Sequence, residues 1–365
     1  MFDKEQSQSA GENSNQFQAR NMIVVNGVDE KRVREICQEF KEYTLREVAQ
    51  TASETANARI EKLETKLVPR IANVENGVSS LCDPEFFSLL KRIQLSAAES
   101  SRESDYEMLS ELLCHRIKHK SDMMNKAAIN KAVSIVNQID DNALNAMTVF
   151  YFAEKFYPTS GIITDGLNVL DDYFSKIVSG SLPLGIEWIE HLDLLGALRQ
   201  SSMEHLKKLP DYYAEKMEGY WGCGIKVESE EYVQSQQILQ EKKLPQDILV
   251  PHELDSECVR IPVVNRASID NYHFSSCVQN IVVNIPFTDA QKECVRKIYD
   301  ISLRDNDAMQ KRRAKFCETL QTFPSLKKVI DWWNQISVGI KLTDAGRVLA
   351  HANAQRCSPN IPSLE

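Results

Sequence analysis

The residues best equipped for chemistry sit in the stretch Cys-His-Arg-Ile-Lys-His at positions 114–119. His115 and His119 are four apart, so on a helix both imidazoles share a face and can hold one metal ion. A hydrolytic zinc site also needs a third ligand and a general base, and the order His-Glu-x-x-His is absent. Arg116, Lys118 and Lys120 would repel a cation. The stretch therefore reads as a solvated basic helix face, and no metal is expected there. A second chemistry is offered by Gly222-Cys223-Gly224, which follows Trp221. Nucleophilic attack by cysteine needs a lowered thiol pKa and a histidine base. His191, His205, His252 and His273 are available, but the sequence places none of them beside Cys223, and a turn next to a strand is the expected structure. No phosphate-binding glycine loop, dinucleotide fingerprint or Gly-x-Ser-x-Gly elbow occurs. Pairs such as Glu187/Glu190 and Asp171/Asp172 are what an acidic helix surface carries. No catalytic residue and no cofactor is assigned, and a non-enzyme is favoured.

The elements that would position such groups are mostly helical. Residues 1–21 are rich in Gln, Ser, Asn and Glu and are expected to be disordered alone. Met22 to Asn26 then reads as one short strand, whose open backbone groups need an edge either on its own domain or on another copy. Asp29 can cap a helix from Glu30, along which Val33, Cys37, Phe40, Thr44, Val48, Ala52, Ala56, Ile60, Leu63, Leu67 and Ile71 recur at intervals of three or four. This predicts an amphipathic helix of about 40 residues, roughly 60 Å long. Its apolar stripe suits packing between subunits at least as well as packing within one. Met22, Ile23, Val24, Val25, Val33, Phe40 and Val48 are the assigned oligomerisation residues.

Four pieces follow. Residues 77–199 read as a helical domain, with Pro84 in a first helical turn, Ser104 capping the next helix with Glu107 at the capping-box position, and Gly196 as a helix stop. Residues 200–286 read as a mixed α/β insertion with short strands in "YWGCGIKV", "CVRIPVVNR" and "QNIVVNIPF". Residues 287–356 read as a helical, winged-helix-like C-terminal domain. There Thr288 and Thr343 cap helices, Pro324 opens another, and Leu-Thr-Asp-Ala-Gly at 342–346 runs from a strand into the last helix. The stretch "SLKKVIDWWNQI" before that wing offers Lys327 and Lys328 but is otherwise apolar and aromatic, and Trp332 and Trp333 suit a core better than DNA. Residues 357–365 are expected to form a tail. The fold class is mainly α, a strand and long helix leading into a helical body, a small α/β insertion and the winged element.

Bulk properties narrow the setting. The chain has 365 residues, 42% apolar and 26% charged, enough for a large core. Its formal charge of −9 argues against general nucleic-acid binding. No apolar run reaches the roughly 18 residues of a membrane span. Nine cysteines without paired spacing fit reduced thiols in a cytoplasm.

Three stretches carry a resemblance. "NQFQARNMIVVNGVDEKRVREI" resembles the Gln-Ala-x-x-x-Ile segment that opens many bacterial conflict-system proteins. "DPEFFSLLKRIQLSAAESSRESDYEMLSELLCHRI" is similar to the paired helices of abortive-infection alpha-type proteins and their relatives. "GIEWIEHLDLLGALR" and "GIKLTDAGRVLAHAN" resemble the Leu-Gly turn and the ending of the same group. The resemblance covers about half the chain and leaves residues 200–285 without a counterpart. It implies an oligomeric helical scaffold or sensor in bacterial defence against phage, with room for a protein partner encoded nearby, and it carries over no site residues. The alternatives are a nuclease-type effector with an unrecognised site and a DNA-binding regulator using the C-terminal wing.

Overall fold

A computed structural model describes residues 30–119, 122–178, 180–242, 244–278, 281–302 and 305–362. The strand expected at 22–26 and the tail at 1–21 lie outside the described residues. The N-terminal half runs α1 (Glu30–Ala72), α2 (Gly77–Ser80), α3 (Pro84–Glu99), α4 (Glu103–Lys118), α5 (Met123–Ile135), α6 (Asp141–Lys155), α7 (Ile163–Ile177) and α8 (Glu187–Leu195). Next come β1 (Leu198–Ser201), α9 (Leu209–Lys216), α10 (Glu218–Trp221), β2 (Ile225–Lys226) and α11 (Glu230–Glu241). They are followed by β3 (Val250–His252), β4 (Asp255–Arg260), β5 (His273–Val278) and β6 (Ile281–Pro286). The chain ends with α12 (Asp289–Ile301), α13 (Asn306–Leu320), α14 (Pro324–Trp333), β7 (Gly339–Leu342) and α15 (Asp344–Cys357). The fold is mainly helical with three small antiparallel sheets among the described residues, ordered β1-β7, β2-β4-β3 and β5-β6. None of the described helices is long and apolar enough to cross a membrane.

The chain divides into two units, Met1–Asn57 and Ala58–Glu365. In the first, the described residues are the opening stretch of α1. In the second, the rest of α1 buries Leu63, Leu67 and Ile71. Lys66 and Arg70 reach Glu107 and Glu111 of α4, each at 2.9 Å. One apolar core then draws on residues from Leu63 to Ile361, while a smaller one gathers Cys223, Ile225, Leu239, Ile269, Val295 and Tyr299. The larger core is centred on α15, which lies against α4, α5 and α6.

Local signals explain most helix ends. Asp83 accepts from the Glu85 amide ahead of Pro84, and Thr288 and Gln291 form a reciprocal capping box. Gly196 ends α8 at φ +73°, where a residue with a Cβ is strained. The start of α4 corrects the sequence reading. Its cap position is Arg102, not Ser104, and carries no side-chain cap. Arg102 instead bonds the carbonyls of Val136 and Ile139, both at 2.6 Å, and pairs with Asp105 at 3.0 Å and Asp141. Buried Asp105 also accepts from the Ser100 hydroxyl.

The strand-to-helix ending is present as expected. Thr343 Oγ1 accepts from the Gly346 amide and donates to Ala197 O at 2.9 Å. A Cβ on Gly346 would lie 1.9 Å from that carbonyl oxygen. Gly346→Ala is therefore expected to lower stability by about 2 kcal/mol, because displacing packed backbone outweighs the better helix propensity of alanine. Urea unfolding checks this, and an unchanged midpoint would contradict the close approach.

Candidate functional site

The assigned oligomerisation residues divide three ways. Met22, Ile23, Val24 and Val25 lie outside the described residues. Val33 lies in α1, with its side chain outside what is described. Phe40 and Val48 are 70% and 59% exposed. Between residues 34 and 57 every described side chain is exposed except Ala56, which is half-buried. Among the described side chains of this stretch, none forms a covered face. Isolated helices are marginal in water, and most helical stability in proteins comes from packing an apolar face.

The Cys114–His119 stretch is not the solvated face expected from its charges. Cys114, His115 and Arg116 are buried on α4. Arg116 pairs with Glu85 at 2.7 Å and bonds the His119 carbonyl at 2.6 Å, so its charge is matched inside. His115 Nε2 lies 3.0 Å from the Asn125 amide nitrogen. Burial, with His119 4.5 Å away between ring centres, pushes its pKa down to about 4. Burial pushes the Cys114 thiol up to about 11. Among the described residues no group of three or more His, Cys, Asp or Glu is arranged to hold a metal.

Cys223 lies in the short irregular link between α10 and β2. It is fully buried, and burial pushes its thiol up to about 12, against the lowering effect of the Ser302 and Tyr299 hydroxyls. At neutral pH it is a thiol, the wrong state for attack.

Beside it lies a cleft of about 440 Å³, lined among others by Gly224, Ser229, Asp255, Glu257, Cys258 and Arg312. Arg312, from α13, is buried against the turn. Its Nε donates to Trp221 O at 2.9 Å, Nη2 to Gly222 O at 3.4 Å and Nη1 to Asp255 Oδ2 at 3.2 Å. A Cβ on Gly224 would sit 2.6 Å from the guanidinium carbon, so glycine makes room for this arginine. Cys258 Sγ donates to the same Asp255 oxygen at 3.3 Å. Burial opposes ionisation of Asp255, but the bonds from Cys258 and Arg312 hold its carboxyl below the usual range. Burial and Asp255 push the Cys258 thiol up to about 11. The wall thus presents the Arg312–Asp255 pair and the protonated thiol of Cys258, an arrangement suited to binding polar groups. Sequence reasoning missed Arg312 and Asp255, because residues 57 apart that meet only in space leave no local pattern.

In the C-terminal strand-to-helix element, the helices pack into the core and their basic residues have partners within the chain. α15 buries Ala345, Val348, Leu349, His351 and Ala352. Lys327 pairs with Asp331 at 2.6 Å, and Lys328 bonds Gly180 O at 2.6 Å. Trp332 and Trp333 are in the core, as expected.

Residues 27–364 match the model of one protein family, which is uncharacterised. Neither a curated protein nor a solved structure matches the chain.

Proposed function

We propose that this chain, which belongs to that uncharacterised family across nearly its whole length, is an oligomeric helical scaffold or sensor in bacterial defence against phage. The observation that carries the reading is the exposed stretch of α1. Phe40 and Val48 leave apolar surface in water on a helix with nothing covering it among the described residues. Burying such side chains against a partner yields about 1.5–3 kcal/mol each. The partner is a second copy. The stretch intersperses carboxylates and cations (Lys41, Glu42, Arg46, Glu47), so two copies can match charge antiparallel. Ala49, Ala52 and Ala56 permit close helix approach. The cleft beside Arg312 supplies a place for a polar trigger. The defence setting rests on the sequence resemblance alone.

The test compares wild type with Phe40→Glu/Val48→Glu by light scattering and by plaque formation, with the native neighbouring genes present. Wild type is expected to self-associate and protect, and the double variant to be monomeric, helical and unprotective. A monomeric wild type overturns assembly. A wild type without protection against a broad phage panel overturns the defence setting. A monomeric variant that still protects separates assembly from function.

A further inference from the structure

β5 and β6 form a sheet of only two strands, and among the described residues neither pairs with a third. Such a sheet is marginal by itself, and an edge without a paired strand is a template for another one. Pairing runs from Val278–Ile281 to His273–Pro286, with two residues joining the strands. A two-residue connection puts the closing pair in hydrogen-bonded register, and bonded pairs then alternate. Ile281, Val283 and Ile285 therefore direct their backbone groups to β5. Val282 and Asn284 turn theirs to the open edge.

Residues 281–284 read Ile-Val-Val-Asn, and the same four residues in the same order occupy positions 23–26. Both segments are uncharged and rich in β-branched residues, the composition that favours strand pairing. We propose that Ile23–Asn26 of one copy adds as a third strand to the open edge of β6 in a second copy. The proposal rests on the self-association argued above and names where the N-terminal segment goes. β6 is the receiving strand because β-branched pairs across a ladder are favourable, whereas β5 carries Ser275 and Ser276 at its centre. Each copy gives one strand and receives one, so two identical contacts close a dimer.

The experiment places the photo-crosslinking residue p-benzoylphenylalanine at Val24 of the full chain and mixes two differently tagged preparations. A crosslink between tags that maps to residues 281–286 is the expected result. A crosslink to β6 within one copy, or to any other segment of a second copy, overturns the proposal while self-association stands. Absence of any crosslink between tags together with a monomer by light scattering overturns both. Val282→Pro removes one outward donor and leaves the β5–β6 ladder intact. With two such contacts per dimer it is expected to raise the dissociation constant tenfold or more at unchanged circular dichroism. An unchanged constant also overturns the pairing.

Discussion

Arg260→Ala is expected to remove about 3–5 kcal/mol of stability, the range for breaking a buried ion pair from one side. The Arg260 guanidinium is fully buried and lies 5.8 Å from the centre of the Tyr220 ring. Its Nη2 donates to Gly161 O at 2.6 Å and pairs with Glu253 at 3.0 Å, and Nη1 reaches Gly219 O and Ile261 O at 3.4 and 3.3 Å. Glu253 in turn accepts from the amides of Ile163 and Thr164 at 2.9 and 3.0 Å, serving as the cap that α7 lacks locally. One arginine thus ties the β3–β4 turn to the start of α7. Its removal strands three carbonyls and a carboxylate. Arg260→Met is expected to cost less, because it fills the space even though the same acceptors lose their donor. Chemical unfolding of both variants measures the difference. A loss below about 1 kcal/mol for Arg260→Ala would show that the ion pair does not hold these segments together.

The second large effect is acid lability. Burial, with Arg260 and Arg312 nearby, pushes His252 down to about 3, and burial pushes His351 and His115 down to about 4. Their contacts fit neutral rings. His252 Nδ1 accepts from the Leu254 amide at 3.1 Å, and His351 Nδ1 lies 3.2 Å from the Tyr151 hydroxyl. In the unfolded chain each histidine binds its proton near pH 6.5. The unfolded state therefore holds more protons at intermediate pH, and stability rises with pH there. The contribution is complete above the unfolded value and declines as pH falls from about 6.5 towards the folded values. Each group contributes at most about 1.4 kcal/mol per pH unit. With half of that lost to water reaching the rings, three groups give roughly 4 kcal/mol between pH 7 and 4.5. Asp105, whose carboxyl burial pushes up, works in the opposite direction. Urea unfolding from pH 8 to 4.5 is the measurement, with His351→Leu flattening the slope by about one third. Equal stability at pH 7 and 5 would mean the rings take up protons freely in the folded chain.

The sequence by itself determined the elements whose causes are local. Asp83 with Pro84, Thr288 with Gln291, Thr343 with Gly346, and Gly196 all announce helix ends, because the atoms that satisfy each end lie within a few residues. Apolar periodicity announced α1, which has no glycine and no proline before Pro69 and runs on through that residue to Ala72. The tertiary structure decided everything that depends on who surrounds whom. Cys-His-Arg-Ile-Lys-His looks solvated by charge, yet α4 is enclosed, and Glu85 neutralises Arg116 from 31 residues away. Arg102 displaced the expected Ser104 cap because its partners at Val136 and Ile139 are 34 and 37 residues distant. Arg260 and Arg312 sit in ordinary strand and helix patterns, and only the meeting of Gly161, Glu253, Trp221 and Asp255 makes them buried ions with matched partners. Short-range hydrogen bonding writes itself into neighbouring residues, whereas desolvation and charge pairing are properties of the assembled interior.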